Sequence, residues 1–270
     1  MSVDDKSPEP AIRSGEDYNT IFDDQAYLKA YHDGVEGHPD EPEFMPFVIN
    51  TLHTIFNSGL IKGSRLLDIG SGPCIHNVIS ASKWFDEITF TDFADVNRRA
   101  LKKWWQNDDG AWNWEPFFKY VANLEGNADN WEEDQKAFRK KIKDVLHCDI
   151  NKMNPIYPNQ SDHFDAVTSS LCIEASCADV HAYEQAIKNV VSLLKAKGHL
   201  VLVGVLGESY YDVGGERFFC LPLTKDEVTR ALEKAGLENI AWYPYDTKSA
   251  DTVSDFAGCF IATATKKEDV

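Results

Sequence analysis

Short apolar runs alternate with helix-periodic stretches along most of this chain. Arg65-Leu66-Leu67-Asp68-Ile69 is an apolar run that closes on Gly70-Ser71-Gly72-Pro73, and Ile88-Thr89-Phe90-Thr91 closes on Asp92. Both read as buried strands, at 65–69 and 88–91, the first bounded by a glycine turn. The segments 75–84 and 97–105 read as the helices that follow them. Upstream, 16–60 reads as helical: Tyr27 and Tyr31 stand four apart, and Phe44, Phe47, Val48, Leu52, Ile55 and Phe56 recur at helical spacing until Asn57-Ser58-Gly59. Downstream, strands are expected at 164–169 and 199–206, helices at 180–194 and 225–235, and final strands at 240–243 and 259–265. The run at 199–206 is nearly all apolar, as a central strand covered on both faces should be. The run at 259–265 alternates, as an antiparallel strand does.

The segment 106–145 is harder to read, being rich in Trp, Asn, Asp, Glu and Lys. A helix is expected over 131–145, then a short strand at 145–148 ending in Asp149. That leaves 106–130 as a long insertion, a feature that often carries function. Alternating strands and helices predict a doubly wound, mostly parallel α/β sheet. The expected organisation is one domain over 16–270, with a helical cap at 16–60 and an insertion at 106–145. Ligands on such sheets bind beyond the carboxyl ends of the strands. The residues to watch are therefore 70–72, Asp92, Asp149, 170–174 and 207–211.

Composition narrows the class. At 270 residues with 43% hydrophobic content, the chain can bury a full core. Its net charge of −17 repels phosphates and anionic membranes, so nucleic acid and membrane partners are disfavoured. The first fifteen residues are polar and expected to be disordered, with no apolar region of a signal peptide. No apolar run reaches the roughly 18 residues of a membrane span. Six cysteines without a C-x-x-C pair read as reduced thiols in a cytoplasmic protein. Eight histidines without H-x-x-x-H spacing give no expectation of a metal.

A strand, a glycine turn and an acid closing the next strand form a mononucleotide-type unit, whose acid accepts hydrogen bonds from a ribose diol. The turn lacks the third glycine of a dinucleotide site and carries Pro73 where a helix would meet a pyrophosphate. It suits S-adenosylmethionine, which has no phosphate to cradle.

The wider run Leu67-Asp68-Ile69-Gly70-Ser71-Gly72-Pro73 closely resembles the nicotinamide, phenylethanolamine and indolethylamine N-methyltransferase family. Further matches follow in order: Tyr27-Leu28-x-x-Tyr31, Thr91-Asp92-Phe93 with Asn97, Asn123-Leu124-Glu125-Gly126-Asn127, Leu171-Cys172-Ile173-Glu174-Ala175, Ser209-Tyr210-Tyr211 and Leu221-Pro222-Leu223. The resemblance spans roughly 17–265. It implies a Rossmann-like class I methyltransferase: a seven-stranded, mostly parallel sheet flanked by helices, with an antiparallel final strand and an N-terminal helical cap. The expected activity is S-adenosylmethionine-dependent methyl transfer to the nitrogen of a small amine, by a monomer.

By resemblance, Gly70 and Ser71 lie against the amino-acid end of the cofactor, Asp92 holds the ribose with Phe93 and Asn97 nearby, and Asp149 and Ile150 frame the adenine. Ser170 and His76 complete the cofactor contacts, and Tyr18 and Tyr27 close over the site. The family often has tyrosine where this chain has His32 and His76. Glu174 is the expected catalytic carboxylate. Glu208, Tyr211 and Asp255 are expected at the substrate, with Asp251 a weaker candidate from the same loop. Glu208 stands beside Gly207, where the phenylethanolamine branch has an acid. Acids and a serine expected in the two branches are absent at Gly204, Gly207 and Cys220, so the acceptor pocket differs from both. Two other readings remain open: a thioether S-methyltransferase of the same family, and a catalytically silent protein that binds the cofactor.

Overall fold

The computed structural model describes residues 11–39, 43–159, 163–245 and 253–268. A two-residue strand, β1 (Ile12–Arg13), is followed by helices α1 (Asp17–Thr20), α2 (Asp24–Tyr31) and α3 (Phe44–Asn57). Strand β2 (Gly63–Ile69) leads to two 3₁₀ turns, His76–Val78 and Ala81–Trp84, and then to β3 (Phe85–Asp92). Next come α4 (Asp95–Trp105), α5 (Glu115–Leu124), α6 (Trp131–Lys141), β4 (Ile142–His147) and β5 (Phe164–Ser170). The remainder is α7 (Val180–Ser192), β6 (Leu194–Leu206), β7 (Tyr210–Val213), β8 (Glu216–Phe219), α8 (Lys225–Lys234), β9 (Leu237–Tyr245) and β10 (Gly258–Lys266).

Seven strands form one sheet in the order β4-β3-β2-β5-β6-β10-β9. The pairings β3·β4, β2·β3, β2·β5 and β5·β6 are parallel, whereas β10 runs antiparallel to both its neighbours. Strand order reverses between β2 and β5, which makes their carboxyl ends the topological switch point.

Strand alternation divides the core between two faces. Leu66, Val201, Val203 and Ile261 pack with α3, α5 and the 3₁₀ turns. Leu67, Ile69, Leu200, Leu202 and Phe260 pack with α7 and α8. Local chemistry fixes the helix starts. Asp23 caps α2 by accepting from the Gln25 and Ala26 amides, and Thr224 with Glu227 forms a capping box at α8.

Several expectations are corrected. The segment expected as a helix over 75–84 makes two 3₁₀ turns instead. Asn, Ser and β-branched residues dominate it, and these favour turns over a continued helix. The expected helix over 131–145 stops at Lys141, and the strand begins at Ile142 rather than Val145. The insertion at 106–130 contains α5, whose Phe117, Phe118 and Val121 are buried. A second, three-stranded sheet of order β1-β8-β7 had no counterpart in the sequence reading. Its strand β1 falls within the stretch expected to be disordered: Ile12 and Arg13 pair in parallel with Arg217 and Phe218. Residues 1–10 of that stretch, and Asp251, lie outside the described residues.

Candidate active site

The turn after β2 and the end of β3 are tied together by backbone. The Ser71 amide donates to the Thr91 carbonyl at 2.9 Å, and the Gly72 amide donates to Asp92 Oδ2 at 2.8 Å. Asp92 Oδ1 accepts from the Ala94 amide at 2.8 Å and from Asn97 Nδ2 at 3.0 Å. The carboxylate is thus fixed in orientation, with acceptor capacity left on Oδ2. Burial raises its pKa, while the bonds from Asn97, Gly72 and Ala94 and the charge of Arg98 oppose that rise. Asn97 Oδ1 is buried without a hydrogen-bond partner. Below the turn, Asp68 is buried and accepts from Thr168 Oγ1; burial lifts its pKa to about 6.

Glycine is obligatory at position 70. Its φ is +64°, and a Cβ there would stand 1.9 Å from Cys172 Sγ. Cys172 is set by its neighbour Leu171, which takes a φ of +52° directly after β5. A non-glycine residue in the left-handed region marks strain at the switch point.

These residues line a cavity of about 210 Å³ at the switch point. Asp149, Ile150 and Ser170 line it from the ends of β4 and β5. Asp149 accepts from the Asn151 amide at 3.0 Å, and Asn189 Nδ2 donates to the Ile150 carbonyl at 2.9 Å. Tyr18, Phe22, Tyr27 and Tyr31 enter from the N-terminal segment. Tyr18 packs on Phe22 and Phe218, and Phe22 on Tyr27, with ring centroids 5.0–5.6 Å apart. The Tyr31 hydroxyl donates to the Asp212 carbonyl at 2.8 Å, fastening α2 to β7. Among the described residues the lining includes the carboxylates of Asp92, Asp149 and Glu208 and no lysine or arginine.

One end of the cavity is formed by His32, Cys74 and His76, all buried. Burial pushes His76 down to about 3 and, together with His76, pushes His32 well below the usual imidazole range, so both rings are neutral. His76 Nδ1 is buried without a partner.

Thirteen of the residues expected at the site do line this cavity: Tyr18, Tyr27, Gly70, Ser71, His76, Asp92, Phe93, Asn97, Asp149, Ile150, Ser170, Glu208 and Tyr211. Glu174 and Asp255 are not among its lining. Glu174 sits in a 3₁₀ turn behind the wall and is 3% exposed, its Oε1 accepting from the Val205 amide at 3.3 Å. Burial lifts its pKa to about 7. The Asp255 carboxylate is taken up by β7: it accepts from the Ser209 amide and hydroxyl and from the Tyr210 amide. The sequence reading missed Phe44, Met45 and Val48 as cavity wall. Helical spacing marked Phe44 and Val48 as apolar, and a core and a pocket wall look alike in that signal.

The chain matches the NNMT/PNMT/TEMT family over residues 10–267. It belongs to that family. An indolethylamine N-methyltransferase of Oryctolagus cuniculus is 37% identical over 96% of this chain and 98% of its own length. The nicotinamide N-methyltransferase of Homo sapiens is 35% identical, over 96% and 98%. Among solved structures, the N-methyltransferase NodS of Bradyrhizobium japonicum with bound S-adenosylhomocysteine superposes with a TM-score of 0.52 at 15% identity, covering 90% of this chain and 99% of NodS. That likeness concerns the fold alone. As a member of the family, the chain is an S-adenosylmethionine-dependent methyltransferase. The cavity suits that cofactor: an oriented carboxylate at the end of β3, an orphaned amide oxygen on Asn97, and, among the described lining residues, no lysine or arginine to oppose a sulfonium.

Proposed function

We propose that this enzyme methylates the nitrogen of a small, aromatic or heterocyclic amine. The observation that carries this reading is the charge of the cavity: Asp92, Asp149 and Glu208 with aromatic walls and no lysine or arginine among the described lining residues. Such a chamber favours a cationic donor and a cationic amine, and aromatic faces attract both.

When bound, S-adenosylmethionine supplies an electrophilic methyl group. In this reading Gly70 and Ser71 face its amino-acid end, with His76 and Ser170 close by. Asp92 accepts from the ribose hydroxyls beside Phe93 and Asn97. Asp149 accepts from the adenine amine while Ile150 covers the ring. Tyr18 and Tyr27 form the roof that keeps water out. Glu208 meets the acceptor nitrogen, with Tyr211 as aromatic wall. An amine that arrives protonated has no free lone pair, so Glu208 accepts the proton and passes it on to bulk water before methyl transfer, and the carboxylate so regenerated pairs with the cationic product. Alignment and exclusion of water supply the rest of the acceleration. Asp255 acts one step back, holding the strand that presents Tyr211. Glu174, the expected catalytic carboxylate, is the alternative proton acceptor, its Oε1 held by the Val205 amide.

The same reading places a monomeric enzyme in the cytoplasm. None of the six cysteines forms a disulfide, and no helix among the described residues is long and apolar enough to cross a membrane. Net charge of −17 argues against a nucleic-acid substrate.

The test is incubation with methyl-labelled donor and a pooled library of amines, pyridines and thioethers, read by mass spectrometry. A labelled N-methyl product is expected. Label on sulfur alone, or donor binding with no product from any amine, overturns the proposal.

A further inference from the structure

We propose that His32, Cys74 and His76 form a zinc site at one end of the cavity. The three come from separate elements: His32 ends α2, Cys74 lies in the turn after β2, and His76 opens the 3₁₀ turn that follows. One potential ligand atom from each lies within 4.8 Å of the other two, and all three side chains are buried. His32 Nε2 stands 3.5 Å from Cys74 Sγ. At a tetrahedral zinc, a nitrogen at about 2.0–2.1 Å and a sulfur at about 2.3 Å are about 3.6 Å apart. That edge is therefore already at its bound length, and bringing in His76 needs a closure of roughly 1 Å.

The surroundings favour a ligand there. His76 Nδ1 is buried with no partner, which is costly for a polar atom unless something comes to occupy it. Both imidazoles are neutral and have a lone pair to give. Trp114 and Phe117, each 1% exposed, pack against both histidines with ring centroids 5.0–6.2 Å apart across the cluster, forming the dry shell that strengthens a metal bond. Two nitrogens and one sulfur are a donor set that suits zinc. All three residues line the cavity, so the fourth position of the metal opens onto it, an arrangement with three protein ligands and one exchangeable site.

Binding breaks the Cys74 S–H bond and forms a sulfur–metal bond, the proton passing to buffer. The histidines, already neutral, release none. One proton per metal is therefore expected.

The test uses the full chain without donor, so it does not depend on the proposed reaction. Cobalt(II) is titrated in and then displaced by zinc. Expected are one equivalent of cobalt bound, tetrahedral visible bands, a thiolate charge-transfer band, one proton released, and bleaching by zinc. Cys74→Ser should abolish the charge-transfer band, and His76→Phe should weaken binding at least tenfold. His32→Phe should weaken it likewise. Circular dichroism checks that each variant is folded. Where Cys74→Ser does not fold, the two histidine variants decide. No bands in the parent protein, or bands that persist in the folded variants, overturns the site.

Discussion

The hydroxyl of Tyr18 lies 2.7 Å from that of Tyr211, so the first helix of the cap is joined to a strand 193 residues further along. Burial pushes both phenols above the usual range, and the bond is therefore between two neutral groups at every physiological pH. It closes the roof of the cavity at the wall proposed for the acceptor.

Tyr18→Phe keeps the ring packing on Phe22 and Phe218 and removes only this bond. It should cost about 1 kcal/mol in stability, the usual net value of such a bond. The KM for the amine should rise several-fold with little change in kcat. Denaturant melts and steady-state kinetics together check this; a loss of kcat with unchanged KM would contradict it.

Asp92→Asn should cripple donor binding. The Asp92 carboxylate accepts from Gly72, Ala94 and Asn97, and an amide nitrogen at either oxygen position faces one of these donors. Losing a hydrogen bond to a charged group costs about 1.5–3 kcal/mol, or roughly ten- to a hundredfold in Kd. Calorimetric titration with S-adenosylhomocysteine measures the loss.

Glu208→Gln and Glu174→Gln separate the two candidate acids. Glu208 lines the cavity and Glu174 lies behind its wall. The KM for the amine should rise by about tenfold or more in Glu208→Gln, by loss of one charge-assisted contact, and by less in Glu174→Gln. The reverse order would put Glu174 at the acceptor.

Glu174 also predicts a pH dependence of stability. Its carboxyl titrates at about 7 in the folded chain, raised by burial from an ordinary 4.5. Between those values the folded state holds a proton that the unfolded state has released. Stability is therefore full below the lower value, declines as pH rises through the window, and levels off above about 7. The contribution is on the order of 3 kcal/mol. Glu174→Gln should flatten this part of the profile and raise the melting temperature at pH near 8. An unchanged profile would show that Glu174 is not the titrating group.

The sheet and the cofactor end were legible in the sequence because both are written in contiguous runs. Leu66, Leu67 and Ile69 are buried strand residues, and Gly70 and Asp92 stand where those strands end. Other features arise from chain segments that meet only in space. His32 has no sequence relation to Cys74, so a search for ligand spacing passes over the trio. Glu174 follows β5 as expected, but the partner of its Oε1, the Val205 amide on β6, comes from a segment that meets it only in space. The small sheet escaped notice since β7 and β8 are four residues each, too short for alternation to stand out.

The carboxylates of the lining bear on which adenosine ligands the chamber favours. ATP carries the same adenosine as the methyl donor, and cells hold it in abundance. Its triphosphate would bring several negative charges into a chamber walled by Asp92, Asp149 and Glu208, with no lysine or arginine among the described lining residues to receive them. The sign of these carboxylates opposes this competitor without a gate or a dedicated residue.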